Sequence, residues 1–164
     1  MEFVHTELKR DTWFQPAREI RNPKEAVFFV KELIANRTCE MAVALFLATS
    51  GQVVHASICS EGTASSSMIP VSEILRIAIL SGASGMILLH NHPSGSLKAS
   101  KEDMRITKKL SIACQLIGID FLDHIIVGGM DDMVSLREER TYLFKSSQDE
   151  IEKLFVAENR DSLT

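Results

Sequence analysis

Apolar positions along this chain follow two rhythms. From residue 23 onward, Ala26, Val27, Val30, Leu33 and Ile34 recur at helical spacing. Asn22-Pro23 supplies an N-cap and then the proline favoured at the first helical position. Asn36-Arg37-Thr38 ends that helix. Residues 41–48 form an unbroken apolar run, the pattern of a strand covered on both faces. Ser50-Gly51 turns the chain, and residues 52–58 return as an antiparallel partner, with His55 read as a structural histidine in mid-strand. Residues 61–67 read as a loop. Pro70 precedes a helix over 71–80, with Ile74, Leu75 and Ala78 on one face and Ile77 nearby. Residues 81–85 break it, and the apolar run ending at Leu89 reads as a buried strand. The helix after Ser100 turns Ile106, Leu110, Ala113, Cys114 and Ile117 inward and ends at Gly118. Residues 119–127 and 133–136 read as two further strands, joined by a turn with Gly128-Gly129 and Asp131-Asp132. This order predicts an α/β fold, a mixed and largely antiparallel sheet flanked by helices.

The rest of the chain is less patterned. Residues 1–22 are polar apart from Trp13, Phe14 and Pro16, which read as a strap over a domain spanning 23–140. The tail, 141–164, carries Ile151, Leu154 and Phe155 at the spacing of a short amphipathic helix, and is polar after Ala157. At 164 residues, 45% hydrophobic and 24% charged, the chain has room for one domain with a proper core. A net charge of −4 argues against binding nucleic acid through bulk positive charge. Cys39, Cys59 and Cys114 are an odd number without a Cys-x-x-Cys motif, which points to reduced thiols in the cytoplasm. Cys39 and Cys59 read as small buried hydrophobes rather than ligands. The N-terminus lacks the apolar region of a signal peptide, and no run is long enough to cross a membrane. A cytoplasmic protein is expected, free of membrane and compatible with a homo-oligomer.

Chemistry concentrates at His90-Asn91-His92-Pro93-Ser94-Gly95, directly after the strand that ends at Leu89. Residues two apart in extended chain point to the same side, so His90 and His92 can face one target. Ser100 and Asp103 lie one turn apart at the head of the next helix, within reach of the two imidazoles. Two imidazoles and a carboxylate suit Zn²⁺ and leave a fourth tetrahedral position open for water. Singly, each piece has a plainer reading. His-x-His is common in polar loops, and Ser100-x-x-Asp103 is also a helix capping box. On one strand–loop–helix unit, together they favour a metal site. Lys101, Arg105, Lys108 and Lys109 form a basic face beside it, which reads as solvated.

The motif from His90 to Asp103 resembles that of JAMM (JAB/MPN) metalloproteases. The fuller text, with Asp123-His124-Ile125-Ile126-Val127-Gly128 and Ser135-Leu136-Arg137-Glu138, resembles the RadC-type branch across residues 23 to 140. The resemblance implies a cytidine-deaminase-like sandwich and a zinc-dependent hydrolase of peptide or isopeptide amides. It implies His90, His92 and Asp103 as ligands, an upstream glutamate as the base, and Ser100 as a donor to the oxyanion. Glu40, at the start of the strand over 41–48, matches that glutamate best; Glu61 and Glu73 are its rivals. Asp123-His124 supplies either hydrogen bonds behind the ligands or a structural dyad. The loop departs from the RadC pattern, with Ser96-Leu97-Lys98-Ala99 where an acid and prolines are usual. No Gly-rich hairpin occurs before residue 23, so a short form without the family's helix–hairpin–helix module is expected. Two other readings are a DNA-repair-associated protein with weak or no hydrolase activity, and a metal-free interaction scaffold. The acidic charge weighs against the first and the intact ligand set against the second. Weak or no nucleic-acid binding follows, and the physiological substrate is not legible.

Overall fold

The computed structural model describes residues 19–34, 37–62, 69–128 and 132–145. Its central strand explains the longest apolar run. β1 (Glu40–Leu47) is buried from Met41 to Leu47 because helices cover both faces of the sheet. Alternate residues go to opposite layers. Ala42, Ala44 and Phe46 join Met86, Leu88, Ile106 and Leu110 in one cluster, whereas Met41, Val43, Leu45 and Leu47 join Val27, Val30 and Ile34 in the other. The first layer is built by α2 (Val71–Leu80) and α3 (Lys101–Leu116), the second by α1 (Pro23–Ile34).

The remaining strands are β2 (Val53–Gly62), β3 (Gly85–Asn91), β4 (Asp120–Val127) and β5 (Met133–Ser135), ordered β2-β1-β3-β4-β5. Only the β3–β4 pair is parallel, so the sheet is mixed and largely antiparallel, as the pattern predicted. A parallel pair needs a crossover, and α3 supplies it. The chain then forms a short α4 (Leu136–Glu139) and a 3-10 turn (Thr141–Phe144). Leu143 is buried and Phe144 stacks on Phe121, so the folded part continues past residue 140.

Most local signals act as expected. Asn22 Oδ1 accepts the Glu25 amide at 3.0 Å, and Glu25 Oε2 accepts the Arg21 amide at 2.8 Å, capping α1. Gly118, with φ +71°, follows α3 where a side chain would be strained. Several details differ. Leu33 (39% exposed) and Ile117 (40%) lie outside the buried stripes, and Ala113 is half-buried. The polar residues Asp103, Thr107 and Ser111 take buried positions on α3 instead. β2 extends through Glu61 and Gly62, expected in a loop, because they pair with Met41 and Glu40. Leu136 opens α4 rather than closing β5, since Ser135 caps the turn by accepting the Glu138 amide. His55 is in β2, with its ring 5.8 Å from that of Phe46. The Trp13-Phe14 strap, the helical tail, residues 63–67 of the first loop and residues 129–131 of the last turn lie outside the described residues.

β3 is also longer than its apolar run. His90 is laddered on both sides, to Ala42 and Ile126, whereas Asn91 pairs only with Val127 of β4. Asn91 Oδ1 accepts the Met41 amide at 2.8 Å and its Nδ2 donates to the Cys39 carbonyl at 3.1 Å. This side chain continues the β1–β3 ladder where backbone pairing stops, and so fixes the approach to Glu40.

Asp123 and His124 are not a dyad. As strand neighbours they point to opposite faces, His124 toward α3 and Asp123 toward α4. Asp123 Oδ1 accepts the His124 and Arg137 amides at 2.7 and 3.0 Å, and Oδ2 accepts the Ser135 hydroxyl at 2.6 Å. Burial raises this carboxyl above its ordinary value, and those hydrogen bonds offset only part of the effect. Its contribution to stability is therefore full below the unfolded-state value and lost as pH rises through the folded one. Asp123→Asn keeps an acceptor and can donate to Ser135, so it should flatten that decline. Asp123→Ala should cost about 1–3 kcal/mol for each group left unpaired. Urea midpoints of the two variants between acid and neutral pH check both expectations.

Candidate metal centre

β3 ends at a tight turn in which the Gly95 amide donates to the His92 carbonyl at 2.9 Å. Gly95 has φ +71°, the conformation such a reversal needs. The chain returns to α3, where Ser100 Oγ accepts the Asp103 amide at 3.0 Å and the Ser100 amide donates to Asp103 Oδ2 at 2.7 Å. The capping box and the ligand reading are thus compatible. The cap bends the Asp103 carboxylate back over the helix end, toward the two imidazoles.

Three donor atoms meet there. His90 Nε2 lies 3.0 Å from His92 Nε2 and 3.1 Å from Asp103 Oδ1, and His92 Nε2 lies 3.3 Å from Asp103 Oδ2. Bonds of about 2.0–2.1 Å to a tetrahedral Zn²⁺ put neighbouring donors about 3.3 Å apart. The donor chemistry and spacing therefore fit a metal ion. Among the described residues, His90, His92 and Asp103 are the group whose ligand atoms lie close enough to hold one, all within 4.8 Å of each other. His92 Nδ1 is 2.7 Å from the Ser96 carbonyl, a pure acceptor, so Nδ1 carries the hydrogen and Nε2 offers its lone pair to the cluster.

Charge is organised around the carboxylate. Burial works to raise Asp103, but hydrogen bonds from His90 and His92, which donate from Nε2 when their rings are protonated, outweigh it and hold the group well below the usual carboxylate range. His92 is raised, first by its hydrogen bond with Asp103 and then by the Ser96 carbonyl and the charges of Asp103 and Glu40, against the effect of burial. Behind His90 lies His124, whose Nε2 is 2.9 Å from His90 Nδ1. Burial lowers His124 well below its ordinary value. Its Nδ1 in turn contacts Thr107 Oγ1 at 2.6 Å. Thr107 and Asn91 escaped sequence reasoning. Thr107 is four residues beyond Asp103, so its place on the ligand face of α3 was readable, though its partner was not.

The ladder separates the candidate glutamates by the face each one takes. Ala42 pairs with His90, so one more alternation along both strands sets Glu40 abreast of His92, on the same face. Glu40 is half-buried there. Glu61 pairs with Met41, whose side chain belongs to the α1 layer, and its carboxylate lies 3.6 Å from Arg37 Nη1. It faces away from the donors. Glu73 is exposed on α2. Ser100 is exposed beside the cluster, with its hydroxyl hydrogen still free to donate while the oxygen caps α3. Cys39 and Cys59 are half-buried, Cys114 is buried, and all three are free thiols outside the donor group. Burial pushes Cys59 and Cys114 up to about 12. On the basic face, Arg105 pairs with Glu102 at 2.8 Å and Lys108 donates to the Lys145 carbonyl at 2.7 Å.

Fold and site together define an α/β domain with three donor residues, able to hold a metal ion, at the end of a central strand. The chain belongs to the RadC-like JAB domain family, whose model matches residues 20–141. A UPF0758 protein of Streptococcus gordonii is 39% identical over 126 residues, covering 77% of this chain and 55% of that protein. One from Methanosarcina mazei is 34% identical over 125 residues (76% and 54%), and one from Desulforamulus reducens 43% over 109 (66% and 48%). The chain spans about half the length of the curated relatives it matches. No helix among the described residues is long and apolar enough to cross a membrane.

Proposed function

We propose that this chain is a zinc-dependent hydrolase of JAMM type, acting on a peptide or isopeptide amide. The observation that carries the reading is the meeting of His90, His92 and Asp103 with Glu40 abreast of them on the same sheet face. Zn²⁺, when bound, acidifies a water and polarises a carbonyl. The chain's own residues do the rest. His90, His92 and Asp103 hold the ion. Glu40 accepts the proton of the attacking water and returns it to the leaving nitrogen. Ser100 donates its free hydroxyl hydrogen to the oxyanion. A fluorogenic peptide and isopeptide panel tests this: cleavage should appear with zinc, stop with chelator and return on zinc addition. No cleavage by zinc-loaded protein across the panel would count against the hydrolase.

Ser100→Ala separates the two roles of that residue. Metal should stay bound, since none of the three donors is touched. Turnover should fall by about 10²–10³, the usual cost of one oxyanion donor. Loss of the cap should lower stability by about 1 kcal/mol. Cleavage rates and denaturant midpoints of the same preparation measure both. The DNA-associated reading has less support, because Arg105 and Lys108 on the basic face are engaged with Glu102 and Lys145.

A further inference from the structure

The contacts behind His90 form a chain with one direction. It begins at the Asp103 backbone carbonyl, which can only accept. Thr107 Oγ1 donates its single hydrogen to that carbonyl at 2.6 Å. With its hydrogen spent, the hydroxyl can only accept from His124 Nδ1, also 2.6 Å away. A neutral imidazole carries one N–H, so His124 Nε2 is then an acceptor. It lies 2.9 Å from His90 Nδ1, which must supply the hydrogen. In the neutral ring His90 Nε2 is left with its lone pair toward Asp103 and His92, the form that would take up a metal ion. Thr107, His124 and His90 are each 0% exposed, so the chain is shielded from bulk water. Reversing any link would aim an N–H of His90 into the donor cluster.

We propose that Thr107 and His124 form a polarised hydrogen-bond relay that fixes His90 in the Nδ1–H tautomer and orients its Nε2 as a metal donor. Both are positioning residues, and the proposal rests on the metal reading above. The relay also closes a ring. It starts from Asp103 on α3, passes through β4 and ends on β3 at His90, so two donors from different elements are tied together before any ion arrives. Ligating histidines commonly give their second N–H to a carboxylate or carbonyl. Here the acceptor is a second imidazole, whose own tautomer is set by a threonine.

Two measurements on the full chain test this. The first is the ¹⁵N spectrum of the histidine side chains, with and without zinc. His124 should be the neutral Nδ1–H form in both states, and Thr107→Val should allow the Nε2–H form to appear. The second is zinc affinity by competition with a chromophoric chelator. Thr107→Val matches the wild-type shape and should bind zinc about 10–100-fold more weakly, the usual effect of removing such a partner. Thr107→Ser, which restores the hydroxyl, should recover most of the affinity. His124 found as Nε2–H in the wild type would overturn the relay, as would a Thr107→Val protein with unchanged zinc affinity. Zinc uptake by the wild type in the same titration tests the metal reading separately, because the tautomer of His124 is read without metal.

Discussion

Glu40→Gln is expected to keep its metal and lose its turnover. The substitution preserves the side-chain shape and leaves His90, His92 and Asp103 untouched, so zinc content should match the wild type. An amide cannot accept the proton of the attacking water, and removing a general base typically costs about 10²–10⁴ in rate. Folding should change little. Glu40 is half-buried at the first position of β1, and the Asn91 clamp on Met41 that fixes the strand does not involve its carboxylate. The measurement is kcat on the best substrate found in the peptide and isopeptide panel, alongside zinc content. Wild-type turnover would exclude Glu40 as the base. Glu61 would not replace it, since the register of β1 with β2 turns it to the other face.

Asp103→Ala should show the other large effect, because one carboxylate serves two structures. It is a donor of the proposed metal site, and its Oδ2 accepts the Ser100 amide in the α3 cap. Alanine removes both functions. Metal binding should collapse, and stability measured in chelator should fall by about 1 kcal/mol from the cap. Asp103→Asn should separate the two. Its amide oxygen can still accept the Ser100 N–H, so the cap and most of the stability should survive, while the loss of charge weakens the metal. Equilibrium dialysis against zinc and denaturant titration of both variants check this. If Asp103→Asn lost as much stability as Asp103→Ala, the ion pairing with His90 and His92 would matter more to the fold than the cap does.

The site was legible where chemistry follows from spacing along one strand or one turn. His90 and His92 are two apart in extended chain, and Ser100 and Asp103 one turn apart, so geometry fixed by the backbone brought them together. The sheet was legible because β1 is apolar on both faces and α2 and α3 carry clear stripes. What escaped needed partners distant in sequence. Thr107 does not stand out along α3, because the partner that gives it a role, His124, lies on β4. Asn91 sat between two more conspicuous histidines, and its role depends on where β1 begins. Glu61 looked like a loop residue because nothing local announces that β2 continues to Gly62; only pairing with Glu40 and Met41 holds it in the sheet. Asp123 and His124 invited a paired reading through adjacency, yet adjacency in a strand sends side chains apart.

The central claim is that His90, His92 and Asp103 hold a metal, and elemental analysis tests it most directly. Wild-type protein purified without chelator, then dialysed against zinc, should carry one Zn²⁺ per chain. His92→Ala should carry almost none. His92 is the most exposed of the three, with 15% of its side chain accessible, and it takes no part in the α3 cap, so this variant should fold normally. Equal zinc in folded wild type and folded His92→Ala would contradict the account.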